Sequence, residues 1–282
     1  MILKANYKGS LIAIGGNEDK VSDLVVLKRT VQEITNEDYS VAVITTASEE
    51  PVQRGEDYRK VFSTLGATRI EILNISEKSQ ANDDAQVQAL DDIDLIFLCG
   101  GDQLRLTTIL LGSKVLRAVK DRLEAGAVIA GTSAGAAAFS EIMIYDGKSE
   151  EGLFKGGVLT ASGFGFVKNI VFDTHFIERG RTARLIQIVT TNPSCIGVGI
   201  GEDSSVLLKG DGTLEVIGQG QVIIVDGSDI THSNIVNIKP GQSIAVENIK
   251  IHSLVHGYGY NFKSKSFLLP LPQKIKSEKI ND

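Results

Sequence analysis

The sequence predicts an α/β fold with three layers, in which a doubly wound, mostly parallel sheet is followed by an antiparallel β extension in the C-terminal third. Three observations lead to this prediction. Near-continuous apolar runs rich in β-branched residues recur through the first half of the chain, as strands covered on both faces require. Helical patterns separate these runs, which favours parallel strands joined by helices. From Ser194 onward only strand patterns and glycine-containing turns remain.

The first half of the chain alternates predicted strands with predicted helices. The buried-type strands are residues 10–14, 41–45, 70–75, 94–99 and 127–130. The helical patterns beside them are residues 21–33, 58–65, 83–90, 103–111 and 113–124. Gly126 follows the last of these helices, and glycine is the residue that most often ends a helix.

The second half begins after Ser140, where the pattern changes. A glycine-rich loop at 156–166, a strand at 169–172 and a helix at 177–190 are predicted there. The later strands are residues 196–200, 205–209, 213–217 and 221–225, and turn residues such as Asp211-Gly212 indicate hairpins at one sheet edge. Residues 1–272 are therefore expected to form a single α/β hydrolytic domain with an antiparallel extension, followed by a polar tail at 273–282.

Composition and charge exclude several classes of function. Lys and Arg number 29 against 35 Asp and Glu, so the formal net charge is −6, and no basic block attracts a nucleic acid. Only two cysteines and four histidines are present, which argues against a disulfide framework and against a metal site. No apolar run approaches the roughly 18 residues of a membrane span, and no cleavage signal follows the start. A cytoplasmic protein without a membrane partner is expected.

A possible nucleophile lies where the strand 127–130 meets Gly131-Thr132-Ser133-Ala134-Gly135. This Gly-x-Ser-x-Gly pattern after a strand and before a helix is typical of a nucleophile elbow, in which a strained turn exposes the serine hydroxyl. The N–H of Ala134 is then a natural donor to the oxyanion of a reaction intermediate. The alternative is a tight turn whose serine only caps the helix.

A second glycine turn, at residues 100–103, ends the preceding predicted strand. Because ligands bind beyond the carboxyl ends of parallel strands, this turn and the elbow should lie side by side. The N–H of Gly101 or Asp102 is then a second oxyanion donor, and Gln103 can reach a substrate amide. The alternative is a simple turn with Asp102 as the helix cap.

The base and the acid of a triad also have candidates at strand ends. His175 directly follows the strand 169–172 and its polar extension, whereas the other histidines lie in the late β region. Glu202 follows the strand 196–200 and is the preferred acid, with Asp203 as the alternative. The chain order serine, histidine, acid differs from that of the α/β-hydrolases, chymotrypsin and subtilisin, and so indicates a distinct hydrolase architecture.

Charged residues are concentrated around His175. Asp173, Arg179, Arg181 and Arg184 lie close to it in sequence, and arginine side chains recognise carboxylates with two parallel hydrogen bonds. This cluster predicts a substrate that carries carboxylates. The alternative is a solvated helix face whose charges pair locally.

Four stretches together resemble the cyanophycinase family, serine peptidases related to the aspartyl dipeptidases. They are residues 15–20 (GGNEDK), 100–103 (GGDQ), 131–136 (GTSAGA) and 173–184 (DTHFIERGRTAR). The resemblance extends from about residue 8 into the late β region, and it implies a three-layer α/β homodimer without a metal or an organic cofactor. It implies a triad of Ser133, His175 and Glu202. The substrate pocket that it implies contains Gln103, Asp173, Thr174, Arg179, Arg181 and Arg184.

Cyanophycin is a poly-aspartate chain with an arginine on each side-chain carboxyl, so it carries charges of both signs. The resemblance implies a serine exopeptidase that releases β-Asp-Arg dipeptides through an acyl-enzyme, with Asp173 or another acid binding the substrate guanidinium. Thr174 stands where the family commonly has Gln, which removes an amide that can read the substrate. The alternatives are an aspartyl or isoaspartyl dipeptidase with the same triad, and a non-catalytic binding module for acidic ligands.

Overall fold

A computed structural model describes residues 7–270 of the chain, which form a nine-stranded sheet, a four-stranded sheet and a two-stranded hairpin, with helices packed against them. The strands in chain order are β1 Leu11–Ile14, β2 Ser40–Ile44, β3 Arg69–Leu73, β4 Leu95–Leu98, β5 Val128–Thr132, β6 Ile142–Asp146, β7 Leu159–Ser162, β8 Ile170–Thr174, β9 Ile196–Ile200, β10 Ser204–Leu208, β11 Thr213–Gly218, β12 Val222–Asp226, β13 Lys250–Leu254, β14 Gly259–Asn261 and β15 Ser266–Leu268. The α-helices are α1 Val25–Val31, α2 Pro51–Thr64, α3 Asp84–Gln88, α4 Gln103–Leu110, α5 Lys114–Ala125, α6 Ala134–Ala137 and α7 Thr182–Thr191. The predicted tail at 273–282 lies outside the described residues.

The large sheet confirms the predicted fold class. Its nine strands have the order β15-β14-β11-β10-β1-β5-β4-β2-β3. The strands from β1 to β3 in this order pair in parallel, and those from β15 to β10 pair antiparallel and join β1. Ile14 pairs with Thr132 in the register of β1 and β5, so the loops that follow these two strands leave the sheet side by side.

The parallel strands are buried on both faces, as their continuous apolar runs require. Alternate residues of β1 point in opposite directions, and Ile12 and Ile14 pack in one apolar cluster while Leu11 and Ala13 pack in another. Helices α1 and α2 cover the first of these faces, and α4, α5 and α6 cover the second. Full burial of an aliphatic side chain of this size stabilises the fold by about 1.5–3 kcal/mol.

The hairpin pattern predicted that the late strands extend one sheet edge, but only some of them do. Strands β10, β11, β14 and β15 extend the large sheet, but β9 and β12 belong to the small sheet, whose order is β13-β12-β9-β8. Sequence periodicity cannot distinguish these outcomes, because β9 and β10 have the same fully buried pattern although they belong to different sheets. The small sheet packs one face against the large-sheet core and the other against α7.

Several predicted helix boundaries are wrong because local turns interrupt the helical pattern. Helix α1 begins at Val25 instead of residue 21, since the Asp19 carboxylate accepts the N–H groups of Val21, Ser22 and Leu24 and bends the chain before the helix. Helix α2 begins at Pro51, seven residues before the predicted start at 58. Proline is common in the first turn of a helix, so the sequence did contain this signal.

The helix predicted at 177–190 begins at Thr182, because Gly180 adopts a positive φ of 58° and the preceding residues form turns. The predicted loop at 156–166 contains β7, which pairs with β6 in a hairpin that was not predicted. Strands β13, β14 and β15 were also not predicted; they are short, and the residues of β13 and β15 are mostly exposed or half-buried. Among residues 7–270, no helix has the length and apolarity needed to cross a membrane.

Candidate active site

Ser133 lies at the predicted strand-to-helix turn, between the end of β5 and the start of α6. Its backbone has φ 51° and ψ −111°, a region that a non-glycine residue adopts only when its surroundings impose it. The neighbouring glycines explain how the chain packs so closely here. A Cβ at Gly135 would lie 2.3 Å from the carbonyl oxygen of Leu98, and one at Gly131 would lie 2.7 Å from the carbonyl carbon of Gly135. The small residues of this stretch therefore permit the turn.

His175 follows the end of β8 and points its ring at Ser133. The distance from His175 Nε2 to Ser133 Oγ is 2.9 Å. The backbone of His175 is held in place because its N–H donates to the carbonyl of Gly15 at 2.8 Å. The next residue, Phe176, packs over Gly199 of β9, where a Cβ would lie 2.4 Å from its ring. A glycine in β9 thus allows the segment that carries His175 to approach the small sheet.

Glu202 follows β9 and completes the predicted triad. Its Oε1 lies 2.6 Å from His175 Nδ1, and its Oε2 accepts a hydrogen bond from Asn17 Nδ2 at 2.9 Å. The hydrogen bond with His175 is the main cause that lowers the pKa of Glu202 below its ordinary value, and the bond from Asn17 and the charge of Arg179 act in the same direction. The alternative acid, Asp203, instead accepts the N–H of Asp19 at 3.0 Å.

These contacts assign the protons of the histidine ring. An ionised carboxylate only accepts hydrogen bonds, so Nδ1 carries the proton that faces Glu202. In the neutral ring Nε2 is then an acceptor and faces the hydroxyl of Ser133. The arrangement can transfer a proton from the serine to the imidazole while the carboxylate stabilises the resulting cation.

Two stretches of backbone that were predicted to supply oxyanion donors lie beside the serine. The N–H of Ala134 is at the first position of α6 and has no partner within that helix. The turn after β4 passes close to the nucleophile, since a Cβ at Gly100 would lie 3.2 Å from the Cβ of Ser133. The N–H of Asp102 donates to the carbonyl of Ala47 at 2.9 Å, so its prediction as an oxyanion donor is corrected. The N–H of Gly101 stays a prediction. The Asp102 carboxylate caps α4 by accepting the N–H of Arg105.

The serine and the histidine lie between two cavities of opposite charge. The acidic cleft has a volume of about 810 Å³, and besides Ser133 and His175 its charged lining residues are Glu18, Glu49, Glu50, Asp102, Glu202, Lys20 and Arg54. The arginine pocket has a volume of about 400 Å³, and its charged lining residues are Arg179, Arg181, Arg184 and Asp173. Acids outnumber bases in the first cavity, and bases outnumber acids in the second. Gly101, Ser133 and His175 line both cavities.

Asp173 lies at the base of the arginine pocket and is already paired. Its carboxylate accepts from Arg181 at 3.3 Å and from Arg184 at 3.2 Å, and its side chain is only 3% exposed. Burial raises the pKa of Asp173, and the two guanidinium groups oppose this effect. Arg184 also donates to the carbonyl of Gly147 at 2.9 Å. The expectation that Asp173 binds a substrate guanidinium is therefore not favoured, and the acids of the other cavity are better placed for that role.

The remaining predicted pocket residues also line the arginine pocket. Gln103 donates to the carbonyl of Tyr145 at 2.8 Å, so its amide nitrogen ties α4 to β6. Thr174 is buried, and its carbonyl accepts from Arg181 at 2.8 Å. Arg179 is exposed, and it is the arginine of this pocket with the most accessible side chain. Arg184, in contrast, is buried, and its guanidinium is bound to Asp173 and to the carbonyl of Gly147.

Asn17 and Glu18 were missed as site residues by sequence reasoning. They lie in the turn after β1, where Asn17 contacts Glu202 and the Glu18 carboxylate accepts the hydroxyl of Thr132 at 2.6 Å. The sequence did indicate a turn at the end of this strand, because a glycine pair followed by polar residues ends the buried strand at 10–14. It does not indicate, however, which other strand ends this turn would contact.

A serine, an imidazole and a carboxylate in hydrogen-bonding succession, at a strand-to-helix turn of an α/β sheet, define a serine-type hydrolase. The sequence model of peptidase family S51 matches residues 11–216. The chain therefore belongs to peptidase family S51 and is a serine-type peptidase.

Similar proteins agree with this membership. The cyanophycinase of Geminocystis herdmanii is 35% identical over 263 residues, which cover 93% of this chain and 97% of that protein. The cyanophycinase of a Nostoc species is 34% identical over 271 residues, which cover 96% of this chain and 91% of that protein. Among solved structures, a peptidase from an acI-B1 Actinobacterium has the same fold with a TM-score of 0.66 at 20% identity, covering 92% of this chain and 99% of that one.

Proposed function

We propose that this peptidase is an exopeptidase that hydrolyses the backbone of cyanophycin to β-Asp-Arg dipeptides through an acyl-enzyme on Ser133. The observation that carries the proposal is the Ser133, His175 and Glu202 succession between an acidic cleft and an arginine pocket. Relatives named cyanophycinase, at about a third identity over nearly the whole chain, support the same substrate.

The charges of the two cavities suit the charges of this polymer. Each repeat of cyanophycin has a carboxylate and a guanidinium, and these groups lie at different distances from the aspartate backbone. Arg179 and Arg181 line the arginine pocket and offer planar donors to the substrate carboxylate. Glu49 and Glu50 line the acidic cleft and offer acceptors to a guanidinium. When a backbone amide of the substrate reaches Ser133, the acidic cleft lies on one side of it and the arginine pocket on the other.

The reaction begins when Ser133 Oγ attacks the carbonyl carbon of an Asp–Asp backbone amide. His175 Nε2 accepts the hydroxyl proton, and the carbonyl electrons move onto the oxygen, which the N–H groups of Ala134 and Gly101 stabilise. As the intermediate collapses, the C–N bond breaks and His175 returns its proton to the leaving amine. Water then attacks the ester with His175 again as the base, and Ser133 recovers its proton as the acid product leaves.

Incubation with purified cyanophycin followed by mass spectrometry of the soluble products tests the proposal. We expect β-Asp-Arg from the parent protein. Ser133→Ala should lose activity by about a thousandfold or more, because a nucleophile is removed and the pocket remains. Its thermal unfolding should stay cooperative, which shows that the loss is chemical.

Asp-Xaa and isoAsp-Xaa dipeptides in the same assay separate the proposal from the dipeptidase alternative. Cleavage of these dipeptides without cleavage of cyanophycin would contradict the proposed substrate, but it would be consistent with the proposed triad. Parent-level turnover by Ser133→Ala would contradict the nucleophile itself. Saturable binding of an acidic peptide, with no turnover and no phosphorylation of Ser133 by an organophosphorus reagent, would favour the binding module. The homodimer and the cytoplasmic location stay predictions.

A further inference from the structure

We propose that Asn17 is a positioning residue, which holds the carboxylate of Glu202 in the orientation that faces His175. The proposal rests on the proposed serine mechanism, and it assigns a role to the turn after β1. Each oxygen of Glu202 has its own partner. Oε1 lies 2.6 Å from His175 Nδ1, and Oε2 accepts from Asn17 Nδ2 at 2.9 Å.

Glu202 needs such a partner because little else restrains its carboxylate. Its side chain is 29% exposed, so water reaches it, and the terminal torsion of a glutamate has a broad energy minimum. A carboxylate accepts through two oxygens, and a donor on one oxygen fixes the direction of the other. The amide of Asn17 therefore selects the orientation that places Oε1 on the histidine ring.

The turn that carries Asn17 is itself anchored to the strand that carries the nucleophile. Glu18 has a side chain only 1% exposed, and its carboxylate accepts from Thr132 Oγ1 at 2.6 Å, from Lys20 Nζ at 2.9 Å and from the hydroxyl of Tyr58. Thr132 directly precedes Ser133. A buried carboxylate with several donors cannot easily move, because leaving them unpaired costs free energy. Asn17 thus has a fixed position relative to the serine.

The same turn also holds the segment that carries Glu202. The N–H of Asp203 donates to the carbonyl of Gly16 at 3.0 Å, and the Asp203 carboxylate accepts the N–H of Asp19 at 3.0 Å. The backbone of residues 16–19 and that of residue 203 are therefore bound to each other on either side of Asn17. This contact brings Asn17 to Glu202 and not to another carboxylate of the acidic cleft.

The backbone of Asn17 allows its side chain to be tested alone. Its φ is 48°, in the left-handed region that Asn, Asp and Gly adopt with little strain. Asn17→Gly removes the donor and keeps the backbone. Asn17→Asp keeps the size and replaces the donor with a like charge beside Glu202.

Other charged groups face this pair and stay constant in both variants. Arg179 acts on Glu202 from the arginine pocket. Asp203 follows Glu202 in sequence, and Glu18, Lys20, Glu49, Glu50, Arg54 and Asp102 line the acidic cleft. An added carboxylate at position 17 favours protonated His175, so the acidic limb of the rate profile should move to higher pH.

The experiment measures the rate at which diisopropyl fluorophosphate phosphorylates Ser133, with loss of fluoride, over a range of pH, together with kcat/KM on cyanophycin. We expect Asn17→Gly to lower the phosphorylation rate about tenfold, as loss of a hydrogen bond to a charged group does. We expect Asn17→Asp to lower it about a hundredfold near neutral pH and to move the acidic limb up by about one pH unit. Asn248 is an exposed matched control with φ 63°, and Asn248→Gly and Asn248→Asp should leave rate and limb unchanged.

Phosphorylation of both position-17 variants at the parent rate would overturn the proposal. An acidic limb that stays in place for Asn17→Asp would overturn it too, since a merely structural role changes the amount of folded protein and not the pH at which it reacts. Failure of the proposed substrate leaves the phosphorylation readout intact. Failure of the triad is recognised separately, because Ser133→Ala would then be phosphorylated like the parent.

Discussion

Both the backbone and the ring of His175 are held by neighbouring residues. Its own φ is 48°, its N–H is bound to Gly15, and the face of its ring meets the backbone of Gly16. A Cβ at Gly16 would lie 2.4 Å from His175 Cε1, a distance that real side chains do not adopt. Glycine at position 16 is thus required by the position of the imidazole as well as by the positive φ of the turn.

The first prediction concerns Gly16→Ala. The added methyl group should displace the His175 ring, and misplacement of a reacting group by about 1 Å lowers the rate about a hundredfold. The measurement is kcat/KM together with the melting temperature. Gly210→Ala is the control, because a Cβ there meets no heavy atom within 4 Å. A Gly16→Ala variant with the parent kcat/KM would show that the ring is not held as described.

At the scale of secondary structure, the ends of strands place the reacting groups. Ser133 follows β5, His175 follows β8 and Glu202 follows β9. Strands β8 and β9 are parallel neighbours, and Thr174 pairs with Ile200 in their register. Because these two strands end at the same edge of the small sheet, His175 and Glu202, which follow them, come into contact. The turn after β1 then lies between them and β5, and Asp19 shapes the end of that turn before α1 begins.

The second prediction concerns Asp19, whose carboxylate accepts backbone N–H groups of Leu24, Val21 and Ser22. These hydrogen bonds lower its pKa from 3.8 to about 2. A lowered pKa means that the stabilisation is complete above the unfolded value and is lost as pH falls through the folded value. Asp19→Asn should therefore be less stable than the parent near neutral pH, and the difference should shrink between about pH 4 and about pH 2.

Urea unfolding midpoints at several pH values test this prediction. Asp121→Asn, at an exposed position of α5, is the matched control and should show no such pH-dependent difference. A difference between parent and Asp19→Asn that stays constant as the pH falls would mean that the carboxylate charge does not stabilise the turn.

At the scale of the whole molecule, charge is separated across the site although the chain is acidic overall. The formal net charge is −6, yet the arginine pocket has three arginines against one aspartate. Both cavities open on Ser133, so a substrate with both signs of charge is oriented by the molecule before any atom reacts.

The third prediction follows from this separation. Raising the ionic strength from about 0.1 M to about 1 M shortens the screening distance from about 10 Å to about 3 Å. The KM for soluble cyanophycin fragments should therefore rise several-fold, and kcat should change little because the triad contacts are hydrogen bonds at short range. Phosphorylation of Ser133 by a neutral organophosphorus reagent is the control and should be insensitive to salt. An unchanged KM would mean that the two cavities do not recognise charge.

Much of the fold and of the site could be predicted from local pattern. The parallel strands were recognised because both of their faces are buried, and Ser133, His175 and Glu202 were chosen because each follows a strand. The start of α1 was missed, because side-chain hydrogen bonds from Asp19 override a helical pattern there. The β6–β7 hairpin was missed because β7 is largely exposed and has no clear apolar alternation.

By itself the sequence determined which residues are buried, where most strands end, and which side chains at those ends can do chemistry. These properties depend on near neighbours in the chain, and so they can be read from spacing and residue type. Only the tertiary structure decided that the late strands divide between two sheets, that Asp102 uses its N–H on Ala47, and that Asn17 meets Glu202 across 185 positions of sequence. Such contacts depend on which strands become neighbours in space, and a local sequence pattern does not specify which distant segment it will contact.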